Sequence, residues 1–217
     1  MVNVKDFVKM AKEAREKASK KGFDQSFELI ITLRDIDIKK VDLNVNEVIY
    51  LPHPFTKKPS VCIFAGGDLA TRARKSGADR VIEAEELDKI ASQKRQMKTI
   101  AKNYSFFLAE TAFMPKIGKA LGQYLGPRGK MPTPLPPNAP IEGMIQRFRT
   151  AVRIRSRKQL AVTGKVGDEK MTDEQIAENA LAVLNNIERK MPSGVNNFGR
   201  VMLKLTMSKP IAMAAVS

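Results

Sequence analysis

In Ser26-Phe27-Glu28-Leu29-Ile30-Ile31-Thr32-Leu33-Arg34, the residues Phe27, Leu29, Ile31 and Leu33 take one side. Ser26, Glu28, Ile30, Thr32 and Arg34 take the other. A period of two predicts a strand with one apolar face and one mostly polar, accessible face. Upstream the period is helical: Phe7, Val8, Ala11, Ala14 and Ala18 predict a helix over residues 4–20, with Gly22 as its stop. Downstream, a loop over residues 35–44 carries Lys39 and Lys40, and a second strand, residues 47–51, ends at Pro52. The alternating pattern returns at the far end of the chain. Over residues 200–207, Val201, Leu203, Leu205 and Met207 point inward and Lys204 and Thr206 outward. Before it lies a helix over residues 172–190, opened by a Thr172/Gln175 capping box and striped by Ile176, Ala180, Val183, Leu184 and Ile187.

Between these ends the pattern changes. Pro54, Lys57, Lys58 and Pro59 mark a linker, and Val61-Cys62-Ile63-Phe64-Ala65 is continuously apolar, as in a strand buried on both faces. Short apolar strands (81–82, 105–109) then alternate with helices (68–75, 85–90, 94–102, 114–121, 141–150). That alternation predicts a small parallel α/β domain with helices on both faces. Residues 122–140, rich in Gly and Pro, read as a long loop, and residues 152–155 and 160–166 as extended. The expected organisation is one domain made of both termini, residues 1–59 and 153–217, interrupted by an inserted domain over residues 60–152.

The 217 residues carry a net charge of +15, with 43% hydrophobic residues. A real core is expected, together with a polyanionic partner, nucleic acid before membrane. The first 20 residues lack the apolar core of a secretory signal, and Cys62 has no second cysteine to pair with, which points to the cytoplasm. One cysteine and one histidine, His53, exclude the common zinc cages, and no cofactor is expected. Gly66-Gly67 lacks the third glycine of a dinucleotide fingerprint, so a plain strand-to-helix turn is favoured over a nucleotide-dependent enzyme, the alternative reading. Catalysis ranks well below binding.

Two basic segments stand out. In Gly126-Pro127-Arg128-Gly129-Lys130-Met131-Pro132, glycines permit close approach to a partner and Arg128 and Lys130 supply charge; composition supports a binding loop and a plain surface connection equally. Arg147, Arg149, Arg153, Arg155, Arg157 and Lys158 form a dense basic run, suited to neutralising phosphates or to a solvated strand edge.

Several of these stretches, in order along nearly the whole chain, resemble one family. They are Gln25-Ser26-Phe27-Glu28, Leu51-Pro52-His53, the Gly126–Pro132 segment, Asp168-Glu169-Lys170-Met171-Thr172-Asp173-Glu174-Gln175-Ile176 and Lys204-Leu205-Thr206-Met207. The family is the large-subunit ribosomal protein of the lateral stalk beside the tRNA exit site, in its archaeal or eukaryotic-like form. The resemblance implies an α/β fold of two domains: an open-faced split β-α-β sandwich from both termini, and an inserted Rossmann-like three-layer α/β/α domain. It also implies no enzymatic activity and a monomer when free, acting in the large ribosomal subunit with no membrane partner. Binding to large-subunit ribosomal RNA of the stalk, a part in releasing deacylated tRNA from the exit site and repression of the protein's own mRNA follow in the same way. Carried over by position, the RNA-binding residues are Ser26, Phe27, Glu28, Thr32, Arg34, Lys39, Lys40, Thr206, Met207 and Ser208, with a secondary contact at Arg128, Gly129 and Lys130. The sequence departs from the family at Ser208, where glycine is usual.

Overall fold

The computed structural model describes residues 3–36, 44–136, 140–157 and 159–213. Helix α1 (Val4–Glu16) begins with the Asn3 N–H donating to the Asp6 carboxylate at 3.0 Å, and buries Phe7, Met10, Ala11 and Ala14. It ends four residues short of the expected 20, because residues 17–21 are mostly cationic and give the apolar stripe little to continue with. Strand β1 (Ser26–Leu33) alternates half-buried and buried without exception, and β2 (Asn44–Tyr50) follows.

The chain then builds β3 (Val61–Phe64), α2 (Gly67–Lys75), β4 (Arg80–Ile82), α3 (Ala84–Ala91), α4 (Lys94–Asn103), β5 (Phe106–Glu110), α5 (Met114–Leu125), β6 (Thr133–Leu135) and α6 (Ile141–Arg149). These strands form a parallel sheet in the order β4-β3-β5-β6. Cys62, Phe64, Phe107 and Ala109 face a cluster supplied by α3, α4 and α5, and on the other face Phe106 meets Phe148 of α6 with ring centroids 5.3 Å apart. Burial pushes the Cys62 thiol up to about 12. The expected loop over residues 122–140 is corrected at both ends. The Gly126 N–H still donates to Gly122 O at 2.9 Å, so the helical ladder continues past Gly122. Thr133-Pro134-Leu135 pairs with β5 as an edge strand, a place where proline's missing N–H costs no ladder bond.

After α6 come β7 (Ala151–Arg157), β8 (Ala161–Asp168), α7 (Asp173–Glu188), β9 (Phe198–Leu205) and β10 (Ile211–Ala212). The order β10-β9-β1-β8 makes an antiparallel sheet, and β2 pairs antiparallel with β7 from Asn44↔Arg157 to Tyr50↔Ala151. On one side of the sheet, Phe27, Leu29, Ile31, Leu33, Val201, Leu203 and Leu205 pack with the stripes of α1 and α7 into one core. The capping box of α7 is formed, Gln175 N–H to Thr172 Oγ1 at 3.3 Å and Thr172 N–H to Gln175 Oε1 at 3.2 Å. Two compact units result, Met1–Lys57 with Thr150–Ser217, and Lys58–Arg149. Ala151 and Val152 pair with Tyr50 and Ile49, so they go with the first. Among the described residues, no helix is long and apolar enough to cross a membrane.

Candidate nucleic-acid interface

Strand β9 ends at Leu205, and Thr206-Met207-Ser208 turns beyond it, the Ser208 N–H donating to Leu205 O at 3.0 Å. Met207 therefore does not continue the inward alternation expected of it: its side chain is 62% exposed at the tip of the turn. Thr206 lies against the start of β1. Its N–H donates to Ser26 O at 3.0 Å, and its hydroxyl accepts from Ser26 N–H at 3.2 Å and lies 3.5 Å from Glu28 Oε1. Lys204, opposite Glu28 in register, places Nζ 3.6 Å from Glu28 Oε2 and donates to Thr206 O at 2.7 Å. The Ser208 hydroxyl accepts from Leu205 N–H at 2.9 Å, and its φ is not positive, so nothing in this turn requires glycine. Ser26, Glu28, Thr206, Met207 and Ser208 thus form one compact patch of hydroxyls, a carboxylate and one apolar tip, with the carboxylate's charge offset by Lys204.

The backbone of this patch is set by Gln25, which belongs to the resembling stretch but is not among the expected RNA-binding residues. Gln25 is 2% exposed. Its Oε1 accepts from Met207 N–H at 3.1 Å, and its Nε2 donates to Ser19 O at 3.4 Å. Its own N–H and carbonyl are engaged by Glu169, through Oε2 at 3.0 Å and N–H at 2.9 Å. Arg15 of α1 holds the segment that follows Glu169. Its guanidinium donates to Glu169 O, Met171 O and Asp173 Oδ1 at 2.6, 2.5 and 2.7 Å, and sits 5.0 Å over the Phe27 ring. Phe27 is fully buried, so its side chain belongs to the core and leaves the candidate surface.

The remaining expected residues are not brought to this patch. Thr32 lies six residues along β1 from Ser26, about 20 Å away. Its hydroxyl accepts from Arg200 N–H at 2.7 Å beside a break in the β1–β9 register, where it substitutes for a ladder partner. Arg34 is exposed and donates through Nε to Asn196 O at 3.1 Å. Lys39 and Lys40 lie outside the described residues.

Residues 14–209 match the ribosomal protein L1p/L10e family. The chain belongs to that family. It is 45% identical over 208 residues to the large ribosomal subunit protein uL1 of Cenarchaeum symbiosum, covering 95% of each chain. It is 45% identical to that of Thermofilum pendens, over 90% of this chain and 86% of the relative. For Pyrococcus horikoshii the identity is 42%, over 94% and 93%. The match to the L1p/L10e family reaches from before Gln25 to beyond Ser208, so both halves of the patch fall within it.

In this member of the L1p/L10e family the Gly126–Pro132 segment divides its residues between two tasks. Lys130 Nζ donates to Ala101 O at 3.1 Å and Tyr104 O at 2.6 Å, capping the end of α4, so its charge is turned inward rather than toward a partner. Gly129 has φ +66°, a conformation that favours glycine, and Arg128 is left exposed. The arginine run is also divided. Arg149 is 17% exposed and bound to Asp79 Oδ2 at 2.8 Å and to Pro59 O and Gly77 O at 3.0 Å each. Arg153 is half-buried, and burial with neighbouring Arg155 lowers its pKa. Lys158 and the Arg157 side chain lie outside the described residues.

The parallel sheet reverses strand order between β3 and β5, the place where such sheets bind nucleotides. Here the Gly66 N–H donates to Glu110 Oε2 at 3.2 Å, and a Cβ on Gly66 would meet the Phe113 ring at 3.3 Å. A carboxylate holds the amide that a phosphate would need, and the Phe113 ring stands against the Gly66 Cα. Gly66-Gly67 serves as a strand-to-helix turn.

Proposed function

We propose that the chain is a constituent of the large ribosomal subunit, in the cytoplasm, which binds stalk ribosomal RNA through the Ser26–Glu28 and Thr206–Ser208 patch. The observation that carries this reading is Met207, exposed at the tip of a turn whose N–H is fixed by buried Gln25. A preset turn loses little freedom on binding. Hydroxyls and a carboxylate beside it suit ribose 2′-hydroxyls, which distinguish RNA from DNA. Met207 supplies an apolar tip for a sugar or a base. With Glu28 offset by Lys204, the patch selects by shape and hydrogen bonding, and the net charge of +15 supplies attraction. Release of deacylated tRNA from the exit site and repression of the protein's own mRNA belong to the same proposal, the second by an RNA fold that presents the same groups.

Filter binding with a stalk RNA fragment and a scrambled RNA of equal length, over a salt series, tests the reading. The stalk fragment is expected to bind more tightly at every salt concentration. Equal affinity for the two RNAs would make the protein a nonspecific polycation binder.

A further inference from the structure

Helix α4 is electrostatically unfavourable to itself. Lys94 and Arg95 stand in its first turn, at the positive end of the helix dipole, and no acid stands there. Lys94, Lys98 and Lys102 are spaced i, i+4, i+8, so like charges neighbour one another along the helix. At 3.6 residues per turn, the four cations fall within an arc of about 100°. Met97, Ile100 and Ala101 are buried, and the four cations are exposed. Their side chains make no hydrogen bond or ion pair among the described residues. Three of the four acids around α3 are committed elsewhere: Glu83 to Arg74 at 2.5 Å, Glu86 to Arg80 at 2.6 Å and Asp88 to Lys116 at 2.7 Å. Lys130 pins its loop to the C-terminal end of α4 through Ala101 O and Tyr104 O.

Lys102, in the last turn, suits the dipole; Lys94 and Arg95, in the first, do not. We propose that Lys94, Arg95, Lys98 and Lys102 form a further RNA-binding surface that engages the phosphate backbone of ribosomal RNA. The partner rests on the proposed function; the surface does not include the Ser26–Ser208 patch. Two observations fit a phosphate partner: a single sign of charge and a straight row on a rigid element.

The full chain with Lys94→Glu and Lys98→Glu tests this against the stalk fragment and the scrambled RNA in a salt series. Losing two phosphate contacts flattens the slope of log K against log salt by about 1.8, and lowers affinity at 0.1 M salt by about tenfold or more. Both RNAs lose the same factor, so the preference for the stalk fragment persists. The melting temperature stays level or rises, because the substitutions relieve repulsion in α4. Lys98→Gln with Lys102→Gln, which adds no negative charge, gives the same flattening if the surface is real. Unchanged slopes in both variants overturn the inference, and that includes a row that serves an acidic protein instead. A wild-type chain with no preference for the stalk fragment overturns the proposed function and leaves the slope readout intact.

Discussion

Replacing Gln25 with Met keeps the volume of a buried side chain and removes its amide. Two groups lose their partner: the Met207 N–H, held at 3.1 Å, and Ser19 O, held at 3.4 Å. An orphaned buried polar group costs about 1–3 kcal/mol. Met207 is exposed, so water can reach its N–H in part, and the Ser19 bond is long, so the low end applies to both. A loss of about 2 kcal/mol in a domain this size lowers the melting temperature by about 4–8 °C. The RNA effect is separate. The turn that carries Met207 keeps its Thr206 bonds to Ser26 but loses the one on the Met207 N–H, and a tenfold loss of affinity corresponds to about 1.4 kcal/mol. Stability is read by calorimetry and affinity by filter binding to the stalk fragment, for Gln25→Met, Met207→Ala and the double variant. If Gln25 acts on RNA by fixing Met207, Gln25→Met costs little affinity once Met207 is already Ala. Coupling of about 1 kcal/mol is expected. Additivity within about 0.5 kcal/mol would show that Gln25 contributes only to folding and would refute the positioning argument.

Thr206→Ala or Met207→Ala weakens binding to the stalk fragment far more than Arg157→Ala, by the same filter assay; the reverse order would move the reading surface to the arginine run. Arg15→Lys keeps the charge and loses the three-way fork to Glu169 O, Met171 O and Asp173, so urea denaturation shows a loss of about 2 kcal/mol. Ser208→Gly removes the hydroxyl that accepts from Leu205 N–H, lowering stability by about 1 kcal/mol while stalk RNA still binds. The Cys62 thiol is raised from about 9 to about 12 in the folded chain, so the folded state binds the extra proton between those values. Its contribution is fully present below pH 9 and is lost as pH rises toward 12; Cys62→Ala lacks that alkaline loss in a denaturation series, and native Cys62 reacts with a thiol reagent only as the chain opens.

Periodicity made much of the fold legible. The alternation from Ser26 to Leu33, the Thr172/Gln175 capping box and the unbroken apolar run from Val61 are local signals, and each became the element it implied. The signals failed where the outcome depends on a distant partner. Alternation carried to Met207 turned it inward, but β1 begins at Ser26, so after the Thr206 bond to Ser26 there is no further partner and the chain turns. Lys130 looks like a free cation in sequence; two carbonyls at the end of α4 claim it. Gln25 carries no sign of its role, because a buried amide is recognised only by the backbone it meets. For Phe27 the two signals conflict: its motif neighbours Ser26 and Glu28 face outward, and its own parity puts it in the core.

The pairing of Ser26 with Thr206 joins residues 180 positions apart. During synthesis, with the first residues made first and chain growth of about 5–20 residues per second, roughly 9–36 s separate the two halves of the patch. Over that interval the emerging chain carries its positive charge without its means of selection. A polypeptide broken off before Leu205 would have no Met207 to present. The patch thus reports that synthesis has passed Met207.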